Sequence, residues 1–187
     1  SLAIANYLAS VTYKPNSSIL YQTYTLKSLC RSRDRLIRER SMFATLLTNQ
    51  LDLTFPELKP FFNDKISKTL LYILKKYKNS EKISLMRDHE TLAKLSRGRF
   101  TYPKFAKLKQ LAKNTVGFHD ENTDLLITTY VSLYELINTK IEPIENKIST
   151  IIKELNPPIL TIPGIGEISA ACIIAEYGDI SLFSSPA

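Results

Sequence analysis

Nine apolar positions, Ile127, Tyr130, Tyr134, Ile137, Ile141, Ile144, Ile148, Ile151 and Leu155, recur at alternating intervals of three and four residues. That spacing predicts one long helix and a coiled-coil seam held for about four heptads. Asp120, Glu121 and Asp124 suit the positive end of its dipole. Pro143 lies off the seam and predicts a kink or a restart, because proline removes a donor and crowds the preceding turn. Asn156-Pro157-Pro158 ends the pattern.

A second long helix is predicted over residues 18–51, which contain no glycine or proline. Ser17 or Ser18 is placed to cap its start. Leu26, Leu29, Leu36, Phe43 and Leu47 keep the same spacing along it, interrupted by Arg33 and Arg40. Pro56 and Pro60 break the chain, and shorter helices follow at about 67–78, 80–97 and 103–114, punctuated by Gly98, Pro103 and Gly117. Two partners compete for the seam: the 18–51 helix and a second copy of the chain. Its length and isoleucine content favour a homodimer. The fold class expected is all-α: a helical domain with a long coiled-coil helix, then a helix-hairpin-helix-like start of a second domain.

Composition sharpens this picture through charge. The chain of 187 residues carries a net +7, but residues 1–113 hold 22 Lys+Arg against 8 Asp+Glu, and residues 114–187 hold 3 against 10. A basic block of this kind points to a polyanion such as DNA or RNA; two helical units pairing by opposite charge would look similar. Arg31, Arg35 and Arg38 share one helix face at i,i+4 and i,i+3 spacing and are candidates to track phosphates, although Asp34 and Glu39 lie among them. A second set, Arg97, Arg99, Lys104, Lys107, Lys109 and Lys113, is interleaved with Phe100, Tyr102 and Phe105. Aromatics between cations suit base stacking, while Phe105 also suits the core.

Other chemistry is thin. Cys30 and Cys172 have no metal-ligand neighbours, and His89 and His119 lack H-x-x-x-H or C-x-x-C partners, so no metal site and no resident cofactor are expected. No apolar run is long enough to span a bilayer, so no membrane partner is expected. The start, SLAIANYLASV, lacks the basic region of a signal peptide, and a reduced, cytoplasmic protein is the expectation.

Beyond Pro158 the composition changes. Three of the five glycines fall at Gly164, Gly166 and Gly178, and no lysine or arginine follows Lys153. PGIG predicts a hairpin, with a helix from Glu167 to Tyr177 and Gly178 as its C′ residue. Backbone N–H groups at Gly164, Ile165 and Gly166 are then candidates to hold a phosphate. A plain glycine turn with Ile162, Ile165, Ile168, Ala171 and Ile174 in the core is the alternative.

Taken whole, TIPGIGEISAACIIAEYGDISLFSSPA closely resembles the opening of the C-terminal domain of the DEDD-type insertion-sequence transposases. This is the insertion-sequence one-ten family, which includes the Piv and MooV invertases. The IANYL start, RSRDRLIRER, the FPEL break and the long helix before IPGIG agree with it. The resemblance implies a fragment of a DNA transposase: residues 1–17 as the tail of a RuvC-like domain or a linker, 18–156 as a coiled-coil dimerisation region, and 157–187 as the start of the C-terminal domain. In that family a RuvC-like domain binds divalent metal through four acidic residues, and a serine in a later Q-S-G-like segment completes the site. Ser1–Ala5 match the residues just after the last of those acids, and Ser181, Ser184 and Ser185 align with the stretch after G-D-I rather than with the nucleophile. The resemblance thus implies no catalytic residue here, with DNA, a structured guide RNA and a second copy as partners in a bacterial, nucleoid-associated setting. The reading from outside the family is a non-catalytic helical protein-interaction module. A repair-type helix-hairpin-helix accessory domain is weaker, since it needs cations near the hairpin.

Overall fold

The computed structural model describes residues 17–178, with side chains from residue 23 onward. The expectations placed on residues 1–16, on the caps at Ser17 and Ser18, and on Ser181, Ser184 and Ser185 lie outside the described residues. The described chain is all-α, without a strand. Its elements are α1 (Ser17–Thr54), α2 (Leu58–Phe61), α3 (Lys68–Tyr77), α4 (Ser80–Ser84), α5 (His89–Leu95), α6 (Tyr102–Lys113), α7 (Glu121–Leu155), a 3₁₀ turn (Pro158–Thr161) and α8 (Glu167–Tyr177). No helix among them is long and apolar enough to cross a membrane.

Two units are distinguished, one formed by residues 35–141 and the other by the segments on either side of it. In the 35–141 unit, Leu47 and Leu51 of α1 pack with Phe55, Leu58, Leu70, Ile73, Leu74, Leu108 and the Ile127 and Val131 side chains of α7. Arg40, an interruption in the apolar spacing of α1, donates to Asn138 Oδ1 at 2.9 Å. Asp120 caps α7: its carboxylate accepts from Thr123 N at 2.7 Å while Thr123 Oγ1 accepts from Asp120 N at 2.9 Å. This reciprocal box satisfies two donors that a helix start leaves orphaned. The linker before α7 is pinned to the end of α1. Phe118 N donates to Leu53 O at 3.0 Å, Thr115 Oγ1 donates to Glu57 at 2.6 Å, and Gly117 lies directly against the Thr54–Phe55 backbone.

In the other unit, Leu26 and Cys30 of α1 pack with Ile148, Ile151 and Ile152 of α7 and with Ala171 and Ala175 of α8. Alanine at these buried positions leaves nothing between the α8 backbone and its neighbours except methyl groups. Arg33, the other interruption, donates to Glu145 Oε1 at 2.7 Å.

Several expectations change. The seam predicted to join a second copy is occupied within the chain: Ile127, Ile137, Ile141, Ile148 and Ile151 are buried, and Tyr130, Tyr134, Ile144 and Leu155 are half-buried. The sequence pattern specifies an apolar stripe without specifying its partner, and the leucines of α1 supply one. Pro143 does not restart the helix, since α7 runs through it with the ring in solvent. The single helix expected at 80–97 is two, α4 and α5, separated where Met86 is buried and Asp88 accepts from Tyr72 Oη at 3.0 Å. Ile162, placed with the core in the plain-turn reading, is exposed, and Ala170 and Ala175 are buried beside Ala171 instead.

Candidate nucleic-acid interface

Arg31, Arg35 and Arg38 are all exposed on α1, but they are not equivalent. Arg31 is held in a two-point fork by Glu176 at 2.9 and 3.1 Å, and Lys27 adds a third contact to that carboxylate at 3.2 Å. The Arg31 and Lys27 hydrogen bonds hold the Glu176 carboxyl below its ordinary range, against a small opposing effect of burial. Arg35 and Arg38 have no ion pair among the described residues and are free to meet an anion.

The chain turns at PGIG and enters α8. Gly164 has φ +89°, closed to most side chains, Gly166 is the N-cap of α8, and Gly178 ends it at φ +69°. A short 3₁₀ turn, rather than a second α-helix, precedes it. The Ile165 N–H is spent on Ile162 O at 3.2 Å, leaving the N–H groups of Gly164 and Gly166 without a partner among the described residues. Glu167 sits in the first turn of α8 and reaches Lys153 at 3.4 Å. Its carboxyl is held low by Ser149 and, against some burial, by Lys153. A carboxylate already stands at this positive helix end, where it competes with an incoming phosphate.

The second basic set divides. Phe105 is a core residue, with Lys109 Nζ 5.6 Å from its ring centroid. The His89 ring is flanked edge-on by Tyr102 and Phe105 at 5.3 and 5.4 Å, an aromatic cluster rather than a ligand set. Arg97, Arg99 and Lys104 instead line a cleft of about 600 Å³. Its opposite wall is one that sequence reasoning missed: Phe61, Phe62, Lys65 and Lys68, from the turn between α2 and α3. The available signal was PFFNDKISK, a phenylalanine pair followed by spaced lysines, which reads as a mere break after Pro60. Phe62 stacks on buried Phe100 at 6.1 Å with planes 19° apart, and Phe61 meets both rings edge-on.

Both rims of the cleft are helix ends closed by left-handed residues. Asn63 and Asp64 follow α2 at φ +52° and +55°, and Arg97 and Gly98 follow α5 at +53° and +79°. Gly98 N donates to Ala93 O at 2.8 Å and Arg97 N to Lys94 O at 3.1 Å, the pattern of a Schellman stop. Ser96 Oγ accepts from Phe100 N at 2.8 Å and fixes the ring below it.

Comparison with known proteins adds one match and one absence. No curated protein matches the chain. Residues 156–187 match the family model described as Transposase IS116/IS110/IS902 family, so the segment that starts as α7 ends is similar to transposases of that family.

Proposed function

We propose that the chain is part of a DNA transposase and that its role is to hold nucleic-acid backbone rather than to make or break bonds. The observation that carries this reading is the family match at residues 156–187. On that reading residues 157–187 begin the C-terminal transposase domain, and the helices before them form its helical region. The free guanidinium groups of Arg35 and Arg38 support DNA as the partner, and a structured guide RNA offers the same phosphates. Homodimerisation through α7 is a separate expectation, checked by light scattering, on which this proposal does not depend.

A mobility-shift titration against duplex DNA and a folded RNA hairpin, between about 50 and about 200 mM salt, tests it. Affinity should fall steeply with salt. Replacing Arg35 and Arg38 by alanine should reduce the log–log slope on duplex DNA by about 2, without change in helical content. Failure to retain either nucleic acid at the lowest salt sinks the reading. The alternative, a helical protein-interaction module, draws support from the Arg31–Glu176 and Arg33–Glu145 pairs, which spend basic side chains on acidic ones. It predicts that charge reversal at Arg35 and Arg38 alters assembly alone.

A further inference from the structure

We infer that the cleft between the α2–α3 turn and the α5–α6 turn is a site for single-stranded nucleic acid. Phosphates lie on Lys65, Lys68, Arg97, Arg99 and Lys104, and an unpaired base lies against Phe61 and Phe62. This rests on the nucleic-acid reading above and gives it a substrate class.

Charge is the first argument. The five cations line one cleft together with aromatic, apolar and neutral polar side chains, and no carboxylate is among the lining residues. None of the five has an ion pair among the described residues, whereas Lys27, Arg31, Arg33, Lys59, Lys75 and Lys76 all do. Many cations elsewhere on this fold are paired with acids, though Arg35 and Arg38 are not; in the cleft all five are unpaired among the described residues, and Asp64 at the rim does not line it. A concave surface of one sign focuses its field on a polyanion.

The floor is the second argument. Phe61 and Phe62 are half-buried, and Phe62 is held parallel to buried Phe100. Half-buried rings that line a cleft beside cations can serve as a stacking platform, and every base has a face to offer them. A duplex keeps its bases stacked on each other, so it would use the lysines and arginines while leaving these rings idle. A volume of about 600 Å³ also suits a nucleotide-sized group.

The two turns at the rim do not hold an anion by their own backbone. The N–H groups of Asn63, Asp64, Arg97, Gly98 and Arg99 at the two left-handed turns are all bonded to carbonyl oxygens, so these turns form no nest for one ion. Recognition falls to long side chains spread along the cleft. That arrangement fits successive phosphates on one strand.

The test uses the whole chain and fluorescent 12-residue oligonucleotides: deoxythymidine, uridine, an abasic strand and a duplex of the same length. Replacing Arg97, Arg99 and Lys104 together by alanine removes exposed side chains only, so circular dichroism should not change. Single-strand affinity should fall at least about tenfold, and the salt slope by about 2. Phe61→Leu should weaken the base-bearing strands and leave the abasic strand unaffected. Comparable deoxythymidine and uridine binding marks recognition of backbone and base face; a large preference for uridine identifies RNA as the natural strand, and one for deoxythymidine identifies DNA. Unchanged single-strand binding in the triple variant overturns the inference while the Arg35 and Arg38 result still decides the broader reading. Equal loss on strand and duplex, or competition by polyglutamate as effective as by oligonucleotide, also overturns it.

Discussion

Gly117 is where a single methyl group should do the most damage. A Cβ built there falls 2.9 Å from Phe55 N and closer still to the Thr54 carbonyl, and all three contacts are backbone, which cannot swing aside. Gly117→Ala must therefore push the 115–118 linker off the end of α1. Overpacking of this kind costs about 1–3 kcal/mol. The displacement also stretches the Phe118 N to Leu53 O bond at 3.0 Å, worth about 1 kcal/mol net. The Glu57 contacts to Thr115 and Val116 stretch with it. The sum is roughly 3 kcal/mol, or a fall in Tm of about 6–12 °C for a chain of this size. Gly164→Ala is the natural contrast: its Cβ meets nothing within 4 Å, and the penalty comes from φ +89° alone, about 1–2 kcal/mol. Urea titration followed by circular dichroism gives both values. If Gly117→Ala lies within about 0.5 kcal/mol of the parent, the close approach carries no energetic weight and the reasoning fails.

Three further outcomes concern the other unit. Ile152 is fully buried, so Ile152→Ala should cost about 2–5 kcal/mol in urea, and a loss below about 1 would show that the site collapses freely. Glu176 has its pKa lowered on folding by Arg31 and Lys27, so its pairs stabilise above the ordinary carboxylate range and the benefit is lost as pH falls through the folded value. The gap in urea midpoint between the parent and Glu176→Gln should be open at pH 7 and close towards about pH 3; an equal gap at both pH values contradicts the pairing. Burial, reinforced by a hydrogen bond with Cys172, pushes the Cys30 thiol up to about 12. Iodoacetamide should then label Cys30 at least about 30-fold more slowly in the folded chain than in urea, and equal rates would refute its placement.

The elements that rest on local chemistry were legible in the sequence. The α8 helix begins and ends at the predicted residues because a glycine hairpin and a C′ glycine are backbone requirements written into single positions. The long helices were legible through their periodicity. What the periodicity could not carry was the identity of the partner: the length and isoleucine content of the α7 seam favoured a second copy, while α1 was the other candidate. Arg33 and Arg40 looked like flaws in the α1 stripe until Glu145 and Asn138 stood opposite them. The break between α4 and α5 was invisible because it answers to Tyr72 and Lys76 on another helix, both of which bond Asp88. The cleft was half legible for the same reason. Its two walls come from turns more than thirty residues apart, and only the wall with alternating cations and aromatics announced itself.

The unit that contains α8 is assembled from both flanks of the continuous 35–141 segment, and this sets an order of events. On a ribosome, the leucine and cysteine side chains early in α1 emerge long before the α7 and α8 residues that they pack against. The Arg31 and Glu176 partners lie 145 residues apart. The 35–141 unit is complete as soon as α7 is half made, and at roughly 5–20 residues per second the remainder follows within seconds. The closing step then joins ends whose separation the finished unit has already shortened, which lowers the entropy of loop closure below that of a free chain. Hydrogen exchange should record the same hierarchy in reverse, with the amides of Leu26 and Ala171 opening before those of Ile73 and Leu108.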